Sequence, residues 1–239
     1  SGGSFDPIVE GHVRLGVAFA ERLGLTRVLL MPTYVPPHKQ RKNMAPAADR
    51  LEMCRRVAAD YPVLEVSDLE IARGGASFTV DTLEALAGQY PGAQWYLITG
   101  ADMFLTLATW WRFADIANMA VICAAPRGDV TLAQLQAYAR TLEEQGAECR
   151  VEDIPVVDLS STAIREAAAK GLPLVGVPET VAAYIRERGL YTEGAPAQSR
   201  TTDEQFIEII RGRESPARFR HSLAVADEAV RLAEKYGAD

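Results

Sequence analysis

The sequence predicts an α/β fold, a doubly wound parallel sheet with helices on both faces, followed by an incomplete all-helical C-terminal segment. Three observations carry this. From Arg27 to Val156 short apolar runs alternate with amphipathic stretches, a glycine-rich turn opens directly onto the first amphipathic stretch, and a polar stretch at Thr192–Thr202 separates that region from further helical patterns.

The apolar runs Val28–Met31, Val63–Val66, Trp95–Ile98 and Ala120–Ala124 have the length and composition of buried strands. The first helix is predicted over Gly11–Leu23, with Leu15, Ala18, Phe19, Arg22 and Leu23 on one stripe and Gly24 as its stop. Further helices are predicted over Asp49–Ala59, Thr79–Ala87, Leu132–Glu144, Ala163–Lys170 and Glu179–Arg188, with Gly171 and Gly189 where left-handed caps belong. Thr192–Thr202, holding Gly194, Pro196 and Ser199, reads as a linker, and Asp203–Arg211 and Pro216–Tyr236 as helices. This divides the chain into a domain over 1–192, a linker over 193–202 and a helical piece over 203–239. Ser1-Gly2-Gly3 reads as already inside a turn, so the expectation is a chain that lacks its first strand and stops before its last helices find partners.

With 239 residues, 48% hydrophobic and 24% charged, the chain supports one large core and an appendage rather than two full domains. A net charge of −7 and a pI near 5.1 argue against nucleic acid as a partner, since such surfaces are built from excess lysine and arginine. Cys54, Cys123 and Cys149 are too widely spaced for a disulfide framework or a zinc cluster, and read as small hydrophobes. No apolar run approaches the ~18 residues of a membrane span, so the reading is cytoplasmic with no membrane contact. A homo-oligomer is left open.

Two segments carry chemistry. Gly2-Gly3-Ser4-Phe5-Asp6-Pro7-Ile8-Val9-Glu10-Gly11-His12 couples glycines, which let backbone approach a phosphate, to a helix start whose unpaired amides favour an anion. Read alone it also fits a tight turn with one surface histidine. Asp158-Leu159-Ser160-Ser161-Thr162-Ala163-Ile164-Arg165 puts three hydroxyls and an arginine at a second helix start. There the hydroxyls serve as caps, an anion site, or both.

Together the two segments resemble the GxFDPxHxGH turn and the S-S-T-x-x-R signature of the HIGH-type nucleotidyltransferases. The likeness extends to Pro36-Pro37-His38-Lys39, Ser77-Phe78-Thr79-Val80-Asp81-Thr82-Leu83, Gly100-Ala101-Asp102 and Thr109-Trp110-Trp111-Arg112, in the order seen in bacterial nicotinate-nucleotide adenylyltransferases, and covers nearly all of Gly2–Tyr191. It implies a Rossmann-like fold and transfer of AMP from ATP to nicotinate mononucleotide, giving deamido-NAD and pyrophosphate. Pantetheine phosphate or FMN is the alternative acceptor. The resemblance casts His12, Arg165 and Lys39 as catalytic, and Gly3, Ser4, Phe5, Gly11, His12, Gly100, Asp102, Ser161, Thr162 and Arg165 as ATP-binding. It casts Thr79, Thr82 and Trp110 as holding the pyridine nucleotide, although Trp110 and Trp111 would fill a core equally well. Mg2+ is expected to arrive with ATP, with no protein metal cage. One departure stands out. Val9 occupies the place of the first histidine of H-x-G-H and supplies no donor, which leaves a nucleotide-binding module with weak turnover as a second alternative.

Residues Arg218–Ala226 and Leu232–Asp239 look like the opening of an HD-type phosphohydrolase similar to those that hydrolyse diadenosine tetraphosphate. In that family a histidine at the place of His221 is the first metal ligand, and a His-Asp pair follows. This chain has no such pair, so neither metal binding by His221 alone nor hydrolase activity is expected.

Overall fold

The computed structural model describes residues 1–35, 44–155 and 159–194, all within one compact unit, Ser1–Ser199. The expected tail helices, Lys39 and Asp158 lie outside the described residues.

Among the described residues, six strands and nine α-helices alternate. They run β1 (Gly2–Gly3), α1 (Glu10–Leu23), β2 (Val28–Pro32), α2 (Ala47–Ala58), β3 (Leu64–Val66), α3 (Leu69–Arg73), α4 (Thr79–Gln89) and β4 (Trp95–Ile98). After these come α5 (Ala101–Phe104), α6 (Phe113–Met119), β5 (Ala120–Ala124), α7 (Leu132–Glu143), β6 (Cys149–Val151), α8 (Ser161–Ala169) and α9 (Glu179–Arg188), with one 3-10 turn at Leu107–Thr109. Every strand pairing is parallel, in two three-stranded sheets ordered β1-β2-β3 and β4-β5-β6. The expectation was one continuous sheet. The division arises where β1 offers only two residues, whose ladder runs to Met31 and Pro32 of β2. One apolar cluster nevertheless spans both sheets, joining Phe19, Val28, Leu30 and Leu64 to Ile98, Val121 and Cys123. Gly2–Gly3 is thus strand, not turn as expected from the sequence.

Helix α1 stops where predicted, at Gly24, whose φ of 62° is the left-handed conformation that favours glycine. Gly11, Val13, Gly16, Phe19 and Ala20 are fully buried, and of the expected stripe Phe19 is among them while Leu15, Ala18 and Leu23 are partly buried against the same core. At Gly16 the helix backbone faces the sheet: a side-chain carbon there would make van der Waals contact with Val28 at 3.5 Å and Leu64 at 3.7 Å. Arg22 points outward, donating to Glu152 at 3.0 Å and to the Asp153 carbonyl at 2.9 Å beyond β6.

Helix α2 buries a charge. Arg50 has no solvent exposure and donates to four carbonyls: Ala45 at 3.0 Å, Ser4 at 2.8 Å, Thr33 at 2.6 Å and Tyr34 at 3.2 Å. A guanidinium out of water is tolerated only when its donors are met, and its planar fork meets several at once. Next to it, Asp49 accepts the Tyr184 hydroxyl at 2.7 Å and Arg188 Nε at 3.1 Å, so α2 also carries α9. Within each sheet, the parallel strands bring the turns after their carboxyl ends to one edge, where ligands of such folds bind. Arg50 therefore braces Ser4 after β1 and Thr33 and Tyr34 after β2 at that edge.

Arg50→Met should lower unfolding free energy by about 3 kcal/mol or more, because it strands several buried carbonyls. Arg50→Lys should recover only part of the loss, having a point charge in place of a fork. Urea denaturation midpoints check both, and a near-neutral Arg50→Met would refute the bracing role.

Candidate active site

The turn from Ser4 to Val9 joins β1 to α1. Phe5 adopts φ 44°, a costly conformation for a bulky residue, and its ring meets the edge of His12 with centroids 5.2 Å apart. Asp6 is fully buried and accepts from the Ala45 amide at 3.0 Å and the Tyr191 hydroxyl at 2.9 Å. His12 Nδ1 accepts the Val9 N–H at 3.1 Å. Because an amide can only donate, the neutral ring carries its proton on Nε2, as a donor. Burial pushes the His12 pKa down to about 4, with the nearby charge of Arg127 acting in the same direction. His12 is therefore a neutral donor at neutral pH. Val9 is buried in the core at the helix cap; its carbonyl accepts the His12 N–H at 3.0 Å, while its side chain makes no hydrogen bond.

The second signature folds onto this turn. Ser160 caps α8 by accepting the Thr162 amide at 3.2 Å. Ser161 Oγ donates to the Pro7 carbonyl at 2.9 Å, and Arg165 Nη1 donates to the Asp6 carbonyl at 2.7 Å, joining residues 154 and 159 positions apart. Arg165 Nη2 also donates to Thr162 Oγ1 at 2.9 Å. Ser4, Phe5, His12, Ser161, Thr162 and Arg165 thus belong to one local assembly, with Gly3 and Gly11 at the ends of its turn. Ser161 spends its proton on Pro7 rather than holding it for a ligand. Lys39, the remaining expected cation, is outside the described residues.

The sequence reading missed Arg127. It follows β5 in a Pro-Arg-Gly turn, donates to the Leu159 carbonyl at 3.1 Å just before α8, and is close enough to His12 to depress its pKa. Its one sequence signal is its place beyond a strand's carboxyl end.

Beyond β4, Gly100 precedes α5 in extended conformation and Asp102 is exposed in the first turn of that helix. Trp110 is half-buried, donates Nε1–H to Thr106 Oγ1 at 3.1 Å and packs against the cluster around Phe104 and Leu107. Arg112, at φ 53°, bridges Asp115 at 2.6 Å and Glu84 of α4 at 2.8 Å, which ties the tryptophan segment to the helix that Thr79 begins. Thr79 is half-buried at that helix start, and Phe78 before it has no side-chain acceptor for a cap. The expectation for Thr82 needs correction. Its hydroxyl is buried, donates to Glu70 Oε1 at 2.8 Å and accepts from Arg73 Nη2 at 3.1 Å, so it is committed inside the protein.

Cys54, Cys123 and Cys149 are all buried, and burial pushes their thiols up to about 12, 12 and 11, far from thiolate chemistry. Among the described residues no three His, Cys, Asp or Glu side chains gather as a metal cage, and no helix is long and apolar enough to cross a membrane.

A family model described as Cytidylyltransferase-like matches residues 1–167. A protein of Desulfitobacterium hafniense (strain Y51) named probable nicotinate-nucleotide adenylyltransferase is 38% identical over 192 residues, covering 80% of this chain and 93% of its own. A Neisseria meningitidis serogroup A protein of the same name is 37% identical over 194 residues, covering 80% and 95%. The chain belongs to the nicotinate-nucleotide adenylyltransferase family. The fold of Plasmodium falciparum nicotinic acid mononucleotide adenylyltransferase, solved as a complex with NaAD, superposes with a TM-score of 0.63 at 17% identity, covering 80% of this chain and 94% of that one. At that identity the likeness speaks to the α/β fold.

In this family member the state of His12 has a measurable consequence. The unfolded chain protonates this side chain near 6.5 and the folded chain only near 4, so stability is lost as pH falls through that window. His12→Gln cannot titrate there. Its loss of unfolding free energy between pH 7 and pH 4.5 should be smaller than the wild type's by on the order of 2 kcal/mol, read from urea curves. Equal losses would mean that His12 titrates normally.

Proposed function

We propose that this chain transfers AMP from ATP to nicotinate mononucleotide, releasing pyrophosphate and forming deamido-NAD, with ATP delivered as its Mg2+ complex in the cytoplasm. The observation that carries the reading is the assembly of two remote signatures into one site, Arg165 on the Asp6 carbonyl and Ser161 on the Pro7 carbonyl. Membership of the nicotinate-nucleotide adenylyltransferase family supports the choice of acceptor.

In this reading a phosphate oxygen of the mononucleotide attacks the α-phosphorus of ATP. The bond to the β-phosphate oxygen breaks, and pyrophosphate leaves with the electron pair. No covalent enzyme intermediate forms, so the protein aligns the reactants and stabilises negative charge. Arg165 and Arg127 supply permanent positive charge, His12 supplies a neutral Nε2–H, and Lys39 adds a cation from the segment before α2. Gly3, Gly11, Ser4 and Phe5 shape the phosphate turn, and Gly100 with Asp102 takes a ribose. Trp110 stacks on the pyridine ring, while the amides at the start of α4, at Thr79, receive its carboxylate. The domain division at 192 and the likeness of the tail to an HD-type opening stand as proposals on sequence alone.

Pyrophosphate release with ATP, Mg2+ and nicotinate mononucleotide tests the reaction; release only with phosphopantetheine or FMN would overturn it. ATP binding without release would favour the second reading, a nucleotide-binding module, for which the buried aliphatic Val9 is the specific observation. Arg165→Ala should weaken ATP binding by about tenfold or more in calorimetry, since it removes a cation and its fork of donors. Unchanged affinity would take Arg165 out of the site. Val9→His should raise pyrophosphate release by about 10²-fold if the missing donor limits the rate. No gain with ATP binding intact would assign that task to a donor already present.

A further inference from the structure

Glu70 is a carboxylate with no part in the reaction as described, yet it is only 5% exposed. It sits on α3, and the chain between α3 and α4 reverses through Gly74 and Gly75, whose φ values of 69° and 68° suit glycine. That reversal brings Thr82, twelve residues on, back over Glu70. Thr82 has one hydroxyl proton, and the 2.8 Å contact to Glu70 Oε1 outcompetes the 3.3 Å alternative to the Phe78 carbonyl. Arg73 supplies the bond that Thr82 accepts. The hydroxyls of Thr82 and Ser77 and the charge of Arg73 favour the ionised carboxylate, but burial outweighs them and holds Glu70 above the usual range.

The cluster lies one turn below Thr79. Phe78 offers that helix start no cap, so its first amides depend on whatever fixes the first turn of α4. On the pyridine side Arg112 holds Glu84. On the inner side the connection is Glu70 to Thr82, and the adjoining strand-like segment is pinned to the end of β2, where Ser77 N–H donates to the Val35 carbonyl at 3.1 Å and Tyr34 N–H to Ser77 Oγ at 3.1 Å.

We infer that Glu70 is a positioning residue for the pyridine nucleotide: through Thr82 it fixes the first turn of α4, so that amides there meet the nucleotide's carboxylate. This rests on the proposed acceptor being nicotinate mononucleotide. Glu70 is hydrogen-bonded to Thr82 of α4, whereas its influence on Arg50 is through charge alone, so its loss acts chiefly on the substrate held at α4.

The test uses Glu70→Ala, Glu70→Gln, Thr82→Val and the Glu70→Ala/Thr82→Val double variant of the full chain. Glu70→Ala and Thr82→Val should each raise KM for nicotinate mononucleotide by roughly five- to tenfold, the worth of one lost hydrogen bond, with KM for ATP within about twofold. The double variant should be no worse than the more affected single one, because the pair acts as a unit. Glu70→Gln keeps an acceptor oxygen for Thr82 and should bring KM back to within about threefold of wild type. Amide hydrogen exchange at residues 79–82 should quicken in Glu70→Ala and stay near wild type in Glu70→Gln. A parallel rise of both KM values, or unaltered exchange at 79–82 in Glu70→Ala, would overturn the assignment. If the wild-type chain releases no pyrophosphate with nicotinate mononucleotide, the reading of the reaction fails, while the exchange measurement still decides whether Glu70 holds α4.

Discussion

Arg50 places a guanidinium where water does not reach, and the chain answers by turning four carbonyls toward it from three separate segments. Burial acts first on this group and lowers its pKa, while Asp6, Tyr191, Cys54 and Glu70 oppose that effect. The cost of desolvating the charge makes the arrangement all-or-none: a carbonyl that drifts away leaves both partners unmet. Ser4 is thereby fixed after β1, Thr33 and Tyr34 after β2, and Ala45 at the entrance to α2. Ala45 in turn donates its amide to Asp6, whose backbone carbonyl takes Arg165 and whose carboxylate takes Tyr191. Asp6 is thus two such links from Arg50, and Arg165 and Tyr191 are three.

Backbone strain follows the same geography. Among the described residues three non-glycine side chains adopt positive φ: Phe5 at 44°, Arg112 at 53° and Tyr191 at 66°. Phe5 shapes the turn before α1, Arg112 ends the tryptophan segment with its two ion pairs, and Tyr191 reaches back to Asp6. Each conformation costs on the order of 1 kcal/mol or more, and each is held by a contact that would be lost if the residue relaxed. A glycine at any of the three would relieve the strain but remove the side chain that makes the contact.

What could be read in advance was whatever is written locally. The strands Trp95–Ile98 and Ala120–Ala124 and the helix Glu179–Arg188 coincide with their predicted bounds, because a short apolar run and a capped amphipathic stretch carry their own signal. Two strands left too little pattern: β1 is two glycines and β6 three residues, with only Cys149 buried. On α1 the predicted stripe does meet the core through Leu15, Ala18, Phe19 and Leu23, but the fully buried Gly16 and Ala20 beside it were missed, because small residues add little to an apolar stripe. Arg50, Glu70, Arg73 and Arg127 were illegible for a stronger reason. A charged residue inside a helix or turn looks like surface until its partners are known, and here those partners lie up to 46 residues away. For Thr82 the motif marked the right helix, but only the fold reveals that its hydroxyl faces Glu70.

The mixture of charged and neutral donors at the site has a physical logic for phosphoryl transfer. Charge on the transferring group spreads over several oxygens, so it is best met by groups that stay cationic in a partly dry environment. Arginine qualifies because its guanidinium holds its proton far more tightly than any other side chain; at Arg50 nearby, burial lowers the pKa and Asp6 opposes the shift. A histidine buried there loses its charge: burial does most to depress the pKa of His12, and the charge of Arg127 acts in the same direction. His12 instead gives direction, since the Val9 amide fixes its ring and tautomer. Position 9 thus supports the site through its backbone, which any residue but proline provides, and this is why an aliphatic side chain there leaves the orientation of His12 intact while removing whatever a second imidazole would add.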